Sequence, residues 1–169
     1  GEIADLIHEQ MIINDGLIRK EDLASYEVNL YQPIKTSYRG NQVFAMGAPS
    51  GGGIVVLTAL NVLECFQLSQ LTPNSARTYH LIAEAMKFAH HNRAKYVGDP
   101  SFSKIPYDML LSKKLACEKA REINLKKAST PKQIARTGSK INDSYKESKD
   151  TTHYSIVDKD GNAVSVTYT

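Results

Sequence analysis

The reading turns on one stretch: Asp150-Thr151-Thr152-His153-Tyr154-Ser155-Ile156-Val157-Asp158-Lys159-Asp160-Gly161-Asn162-Ala163-Val164-Ser165-Val166-Thr167-Tyr168-Thr169. Two β-rich runs, 152–157 and 163–168, flank Asp158-Lys159-Asp160-Gly161-Asn162. Asp-Gly between such runs is a strong hairpin signal. Folding about Asp160 pairs residues whose numbers add to about 320, which sets Thr151 opposite Thr169. A register of 321 sets Thr169 opposite Thr152 instead. Directly opposed residues share a sheet face with Cβ atoms about 4.5–5.5 Å apart, so two hydroxyls become neighbours.

Two opposed threonines are ordinarily no more than a cross-strand pair. Here the context adds to them. Residues 126–149 are dominated by Ser, Thr, Lys, Asn and Gly with isolated apolar residues, which reads as a flexible connector. It runs straight into Asp150-Thr151-Thr152, where a strand begins. Internal cleavage that exposes an N-terminal threonine requires such a layout. A free α-amino group has an ordinary pKa of about 7.7–8.0 and can take the proton of its own hydroxyl near neutral pH. One residue then serves as nucleophile and base.

Upstream, residues 2–13 carry Ile3, Leu6, Ile7 and Met11 at helical spacing and end at Asn14-Asp15-Gly16, which reads as a left-handed C-cap. A short helix over residues 20–26 follows, and then a hairpin: 33–38, a turn at Arg39-Gly40-Asn41, and 42–46. Gly47-Ala48-Pro49-Ser50-Gly51-Gly52-Gly53 opens an apolar helix over 54–66. This loop lacks the Gly-Lys-Ser/Thr of a phosphate-binding loop, and Ser50 is not in a Gly-x-Ser-x-Gly elbow. It is read either as a tight turn that lets the helix pack closely or as a pocket lining. Residues 75–94 form the clearest helix, with Leu81, Ala85, Phe88 and Ala89 on its inner stripe. Its adjacent His90 and His91 point about 100° apart and cannot share a metal face. Glu84 with His91 has no third ligand in register, so no metal site is expected. Gly98-Asp99-Pro100 is a turn. Pro106 starts a helix in its first turn, and Ser112 caps another reaching about Ile123.

Net charge is +3, and its location matters more than its size. Residues 1–111 hold nine basic and eleven acidic side chains, residues 112–149 eleven and four, and residues 150–169 one and three. The basic excess is one segment, with Tyr145 as its sole aromatic and only Arg121 and Arg136 as arginines. A nucleic-acid groove wants more stacking surface, so a solvated face is the reading and a basic helical binding module at 112–149 the non-enzyme rival. Hydrophobic residues at 41 % and charged residues at 23 % exclude wholesale disorder. The longest apolar stretch, 54–63, is broken by Thr58 and Asn61 and is too short to span a membrane. Cys65 and Cys117 lie on expected helices without Cys-x-x-Cys spacing. Buried free thiols are the expectation, one disulfide the alternative. The chain opens at Gly1 without an initiator Met and closes inside a strand, so it is read as a fragment of a longer precursor.

The Thr-Thr-His-Tyr-Ser run from Thr151 and the Asp-Gly-Asn-Ala-Val run from Asp160 closely resemble the start of the small subunit of gamma-glutamyltranspeptidases. The likeness continues upstream through Leu17-Ile18-Arg19-Lys20-Glu21-Asp22-Leu23-Ala24-Ser25-Tyr26, Tyr38-Arg39-Gly40, Ala48-Pro49-Ser50-Gly51-Gly52-Gly53-Ile54 and Tyr96-Val97-Gly98-Asp99-Pro100. The resemblance implies an α+β architecture, part of an N-terminal nucleophile hydrolase αββα sandwich that this stretch leaves incomplete. It divides the chain into 1–125 (C-terminal part of the large subunit), 126–150 (a connector ending at the maturation site) and 151–169 (the first hairpin of the small subunit). It implies self-cleavage between Asp150 and Thr151, Thr151 as nucleophile and Thr169 as the threonine that hydrogen-bonds it. His153 is read as structural. No cofactor or metal is implied. The implied partners are glutathione or another γ-glutamyl compound, an amino-acid, peptide or water acceptor, and the remaining subunit regions; nucleic acid is not among them. A periplasmic or secreted location is implied as well. The nearest enzyme rival is an acylase or related amide hydrolase on the same scaffold. The stretch by itself is expected to be inactive.

Overall fold

A computed structural model describes residues 1–134 and 152–168. Its elements are α1 (Glu2–Ile13), α2 (Lys20–Ser25), β1 (Ile34–Tyr38), β2 (Asn41–Ala45), α3 (Gly52–Leu63), α4 (Ala76–Tyr96), α5 (Tyr107–Leu110), α6 (Lys113–Glu122), α7 (Pro131–Ile134), β3 (Thr152–Val157) and β4 (Ala163–Tyr168). The chain is therefore mixed α+β, with two antiparallel two-stranded sheets, β1–β2 and β3–β4, among the described residues.

Packing is organised around α3. Its sequence Gly-Gly-Ile-Val-Val-Leu-Thr-Ala-Leu-Asn-Val-Leu is apolar on nearly every side, and a helix of that kind belongs in an interior. On one side Val55, Ala59, Val62 and Leu63 meet Leu81, Ala85 and Ala89 of α4 and Ala116 and Ala120 of α6. Alanines at four-residue spacing let these helices approach closely. On the other side Ile54 and Leu57 pack with Ile34, Ala48, Ile105 and Leu110. The two polar residues that interrupt the apolar run are buried and satisfied. Thr58 Oγ1 donates to Leu110 O (3.3 Å) and Asn61 Nδ2 to Leu111 O (3.0 Å). Those carbonyls lie at the end of the one-turn helix α5, where helical partners run out. Asn61 Oδ1 in turn accepts from Thr36 Oγ1 at 2.7 Å, tying β1 to α3.

Local signals explain most boundaries. Ser75 and Ser112 cap α4 and α6, accepting from Thr78 N and Leu115 N. The β1–β2 turn places Arg39 and Gly40 at φ +49° and +83°, the geometry of a two-residue primed turn. At the end of α1 the left-handed residue is Asp15 (φ +54°), and Gly16 N donates back to Met11 O. Pro106 stands at the N-cap of α5 rather than inside its first turn. Residues 126–134 of the polar connector carry α7 and hydrogen bonds to α4; residues 135–150 lie outside the described residues. Cys65 and Cys117 correct the thiol expectation: they are joined as a disulfide, with Cα atoms 5.6 Å apart.

The glycine loop before α3 acts through backbone proximity. A Cβ on Gly53 would overlap the Met46 carbonyl oxygen and crowd Ala45 Cβ. At Gly52 the nearest atom is Ser50 Oγ at 4.0 Å. The Gly53→Ala substitution is therefore expected to lower stability by about 2–3 kcal/mol. Gly52→Ala, in the same helix turn, should be neutral or stabilising by about 0.5–1 kcal/mol. Urea midpoints of the two full-length variants test this; equal midpoints would remove the close-packing explanation.

Candidate functional site

Asp150, Thr151 and Thr169 lie outside the described residues; the hairpin that separates the two threonines in sequence does not. β3 and β4 pair as Thr152 with Tyr168, His153 with Thr167, Tyr154 with Val166, Ser155 with Ser165, Ile156 with Val164 and Val157 with Ala163. Every pair adds to 320, the first of the two registers the sequence allows. His153 is a strand residue paired through its backbone with Thr167.

The register sorts the side chains by chemistry. Alternate residues of a strand face opposite sides, and opposed residues share a side. Tyr154 and Ile156 thus share one face with Val166 and Val164. Ser155, Ser165, Ala163 and Thr167 share the other, where the Ser155 and Ser165 hydroxyls lie 3.2 Å apart. Val157, opposite Ala163, lies on this second face as well. Tyr154, Ile156 and Val164 are each about half exposed, so the apolar face is largely uncovered by the described residues. A lone two-stranded hairpin is marginal in water, and burial of such a face is what normally stabilises one.

The loop is closed by Asp158. Its N donates to Asn162 O (3.0 Å) and its carbonyl accepts from Gly161 N (3.2 Å). Its carboxylate accepts from Asp160 N, Asn162 N and Asn162 Nδ2 at 2.8–2.9 Å. The Asn162 side chain first, then the backbone donors, hold the Asp158 carboxyl below its ordinary range.

A second concave feature lies between α4, α6 and the chain after α6. It is a cleft of about 580 Å³ whose lining includes Val62, Glu84, Phe88, Lys119, Lys127 and Ser129. Glu84 is buried at its edge. It accepts from Lys87 Nζ (2.7 Å) and Ser129 N (3.1 Å), while Lys87 also donates to Ser129 O (3.2 Å). Burial pushes the Glu84 carboxyl up, but these donors outweigh it and the net direction is down. Its groups answer one another, so it reads as the clasp that holds residues 126–134 on α4. Sequence reasoning missed it because nothing local links Glu84 to Ser129.

The histidines of α4 separate as expected. His90 is exposed and His91 buried, and His80 Nε2 contacts Asn124 O at 2.8 Å. Among the described residues no group of three His, Cys, Asp or Glu is placed to hold a metal ion. No helix among them is long and apolar enough to cross a membrane.

The architecture defines a mixed α+β protein. Comparison with known proteins gives it a family. The gamma-glutamyltranspeptidase family model matches residues 1–169, and the chain belongs to that family. It is 46 % identical to the glutathione hydrolase proenzyme of Escherichia coli over its whole length, and spans 28 % of that protein. Among solved structures, Helicobacter pylori gamma-glutamyltranspeptidase matches with a TM-score of 0.76 and 36 % identity, over 84 % of this chain and 42 % of that one. A cephalosporin acylase from Bacillus halodurans matches at TM-score 0.67 and 36 % identity, over 78 % of this chain and 25 % of that one.

Proposed function

We propose that the full-length protein is a self-maturing γ-glutamyl transferase and hydrolase with Thr151 as its nucleophile. In the precursor, the Thr151 hydroxyl attacks the Asp150 carbonyl carbon. The Asp150–Thr151 C–N bond breaks, the amine gains a proton and an ester remains. Water hydrolyses the ester, leaving a carboxylate on Asp150 and a free amine and hydroxyl on Thr151. The mature Thr151 then attacks the γ-glutamyl carbonyl of glutathione, and its α-amino group carries the proton to the departing amine. The γ-glutamyl ester passes to water or to an amino-acid or peptide amine. Thr169 hydrogen-bonds the nucleophile across the hairpin. The whole chain supplies the rest of an N-terminal nucleophile αββα sandwich, with this stretch spanning the subunit junction.

The observation that carries this reading is the β3–β4 register. Its pairs add to 320, and the same count taken one residue outward reaches Thr151 and Thr169. Family membership supports a γ-glutamyl compound as the substrate class. The Cys65–Cys117 disulfide supports a periplasmic or secreted location, since such bonds persist in oxidising compartments. The cephalosporin acylase likeness favours one second reading, the same acyl-enzyme chemistry on a different amide.

Full-length protein incubated with glutathione should release cysteinylglycine together with glutamate, or with a γ-glutamyl product when an amino-acid acceptor is present. Cleavage of a cephalosporin side-chain amide with no turnover of glutathione would move the protein to the second reading. Turnover of neither, with salt-sensitive nucleic-acid binding instead, would favour the basic segment at 112–149.

A further inference from the structure

We propose that the Asp158 carboxylate selects the hairpin register on which the Thr151–Thr169 pairing depends, which makes Asp158 a positioning residue for the acyl-transfer chemistry. The inference rests on the reading of Thr151 as nucleophile.

The sequence offers two ways to close this hairpin. Asp160-Gly161 is a favoured pair for a two-residue primed turn, with positive φ at both positions. That loop would pair Lys159 with Asn162, numbers adding to 321, and set Thr169 against Thr152. It would also need Asn162 N as the donor that closes the turn onto the Lys159 carbonyl. The structure takes the other way. Gly161 has φ +83°, and Asp160 is not among the residues with positive φ. The loop is the three residues Lys159-Asp160-Gly161, closed between Asp158 and Asn162, whose numbers add to 320. Three-residue loops of this kind pair a turn with a left-handed glycine.

What separates the two loops is the fate of Asn162 N. Asp158 Oδ1 holds it at 2.9 Å, so it is not available to the two-residue turn. The same oxygen holds Asp160 N at 2.9 Å, and Oδ2 anchors the Asn162 side chain at 2.8 Å. One carboxylate thus engages the first residue after the loop through both backbone and side chain. A one-residue slip turns every β4 side chain to the opposite face. It would carry Ser165 away from Ser155, mix the apolar and hydroxyl-rich faces, and separate the two threonine positions. The apolar pattern favours the same register, so the carboxylate acts together with it.

The test uses the full-length precursor, followed by intact mass near neutral pH and then by kcat and KM for a γ-glutamyl anilide. Asp158→Ala is expected to slow self-cleavage, and to lower kcat after maturation, by about tenfold or more with KM within about threefold. Asp158→Asn keeps an oxygen for both backbone donors and should stay within about threefold of wild type. A cross-strand disulfide, Ser155→Cys with Ser165→Cys, pins the 320 register without Asp158. Added to Asp158→Ala, it should restore cleavage to the rate of the same disulfide in the wild-type background, and it also serves where Asp158→Ala alone does not fold.

Wild-type cleavage by Asp158→Ala overturns the proposal. So does an equal loss in Asp158→Asn, or a loss the disulfide does not restore while its control cleaves normally. Thr151→Ala run in parallel separates the two levels. If it still self-cleaves, the nucleophile reading and this inference fall together. If it does not, while Asp158→Ala matches wild type, the register inference falls alone.

Discussion

Full-length precursor carrying Thr151→Ala should remain one chain under conditions in which wild type becomes two, the smaller beginning at Thr151. The alanine removes the only atom that can attack the Asp150 carbonyl in this scheme. Maturation and turnover are lost together, because the free α-amino group that serves as base exists only after cleavage. The expected loss of γ-glutamyl turnover is on the order of 10³-fold or more, the usual consequence of deleting a nucleophile. Thr151→Ser keeps a hydroxyl and should still mature, more slowly. The acid limb of the mature enzyme's pH profile follows from the same residue. An α-amino group ordinarily titrates at about 7.7–8.0, so protonation removes the base and turnover falls as pH drops below that range. Mass spectrometry of the two variants and wild type reads the first part, and N-terminal sequencing of the small chain reads the second. Cleavage at the same bond in Thr151→Ala would assign the attack elsewhere.

The parts of this chain legible from sequence are those with a local cause. The helices at 2–13 and 75–94 follow from the three- and four-residue spacing of their apolar side chains. The β1–β2 hairpin follows from Arg39-Gly40 between strand-forming runs. The β3–β4 register was narrowed to two values by counting alone. Choosing between them required the Asp158 carboxylate, a side-chain-to-backbone contact that turn statistics for Asp-Gly do not carry. The disulfide was illegible for a different reason. Cys65 and Cys117 are 52 positions apart in sequence, and only the packing of α6 on α3 brings them together. The Glu84 clasp on Ser129 is the same kind of case, since a polar segment next to a helix in space leaves no periodic trace. The exposed faces were legible in pattern but not in outcome. Ile3 and Leu6 on α1 are 69 % and 52 % exposed although they sit on its apolar stripe. A stripe reports that a face is to be covered, and a chain spanning 28 % of its relative's length need not contain the cover.

Replacing both cysteines, Cys65→Ser with Cys117→Ser, is expected to cost about 4 kcal/mol of stability. The bond closes a loop of 52 residues containing α4 and α5, the elements that pack on the two sides of α3. In the chain-entropy account, opening a loop of that length gives the unfolded chain about 4 kcal/mol, nearly a thousandfold in the folding equilibrium. The folded state loses little by comparison. Ala116 and Ala120 still pack against Val62 and Leu63, and Lys113 keeps its ion pair with Glu64 and its bond to the Ser37 carbonyl. The effect should therefore appear as a shift of the unfolding midpoint with near-native structure below it. Reductant distinguishes this from simple damage to the packing. Dithiothreitol should move wild type to the midpoint of the double-serine variant and leave that variant where it is. Two free thiols in the native wild-type protein, or identical midpoints with and without reductant, would show that α3 and α6 are held by their apolar contacts and the Lys113–Glu64 pair alone.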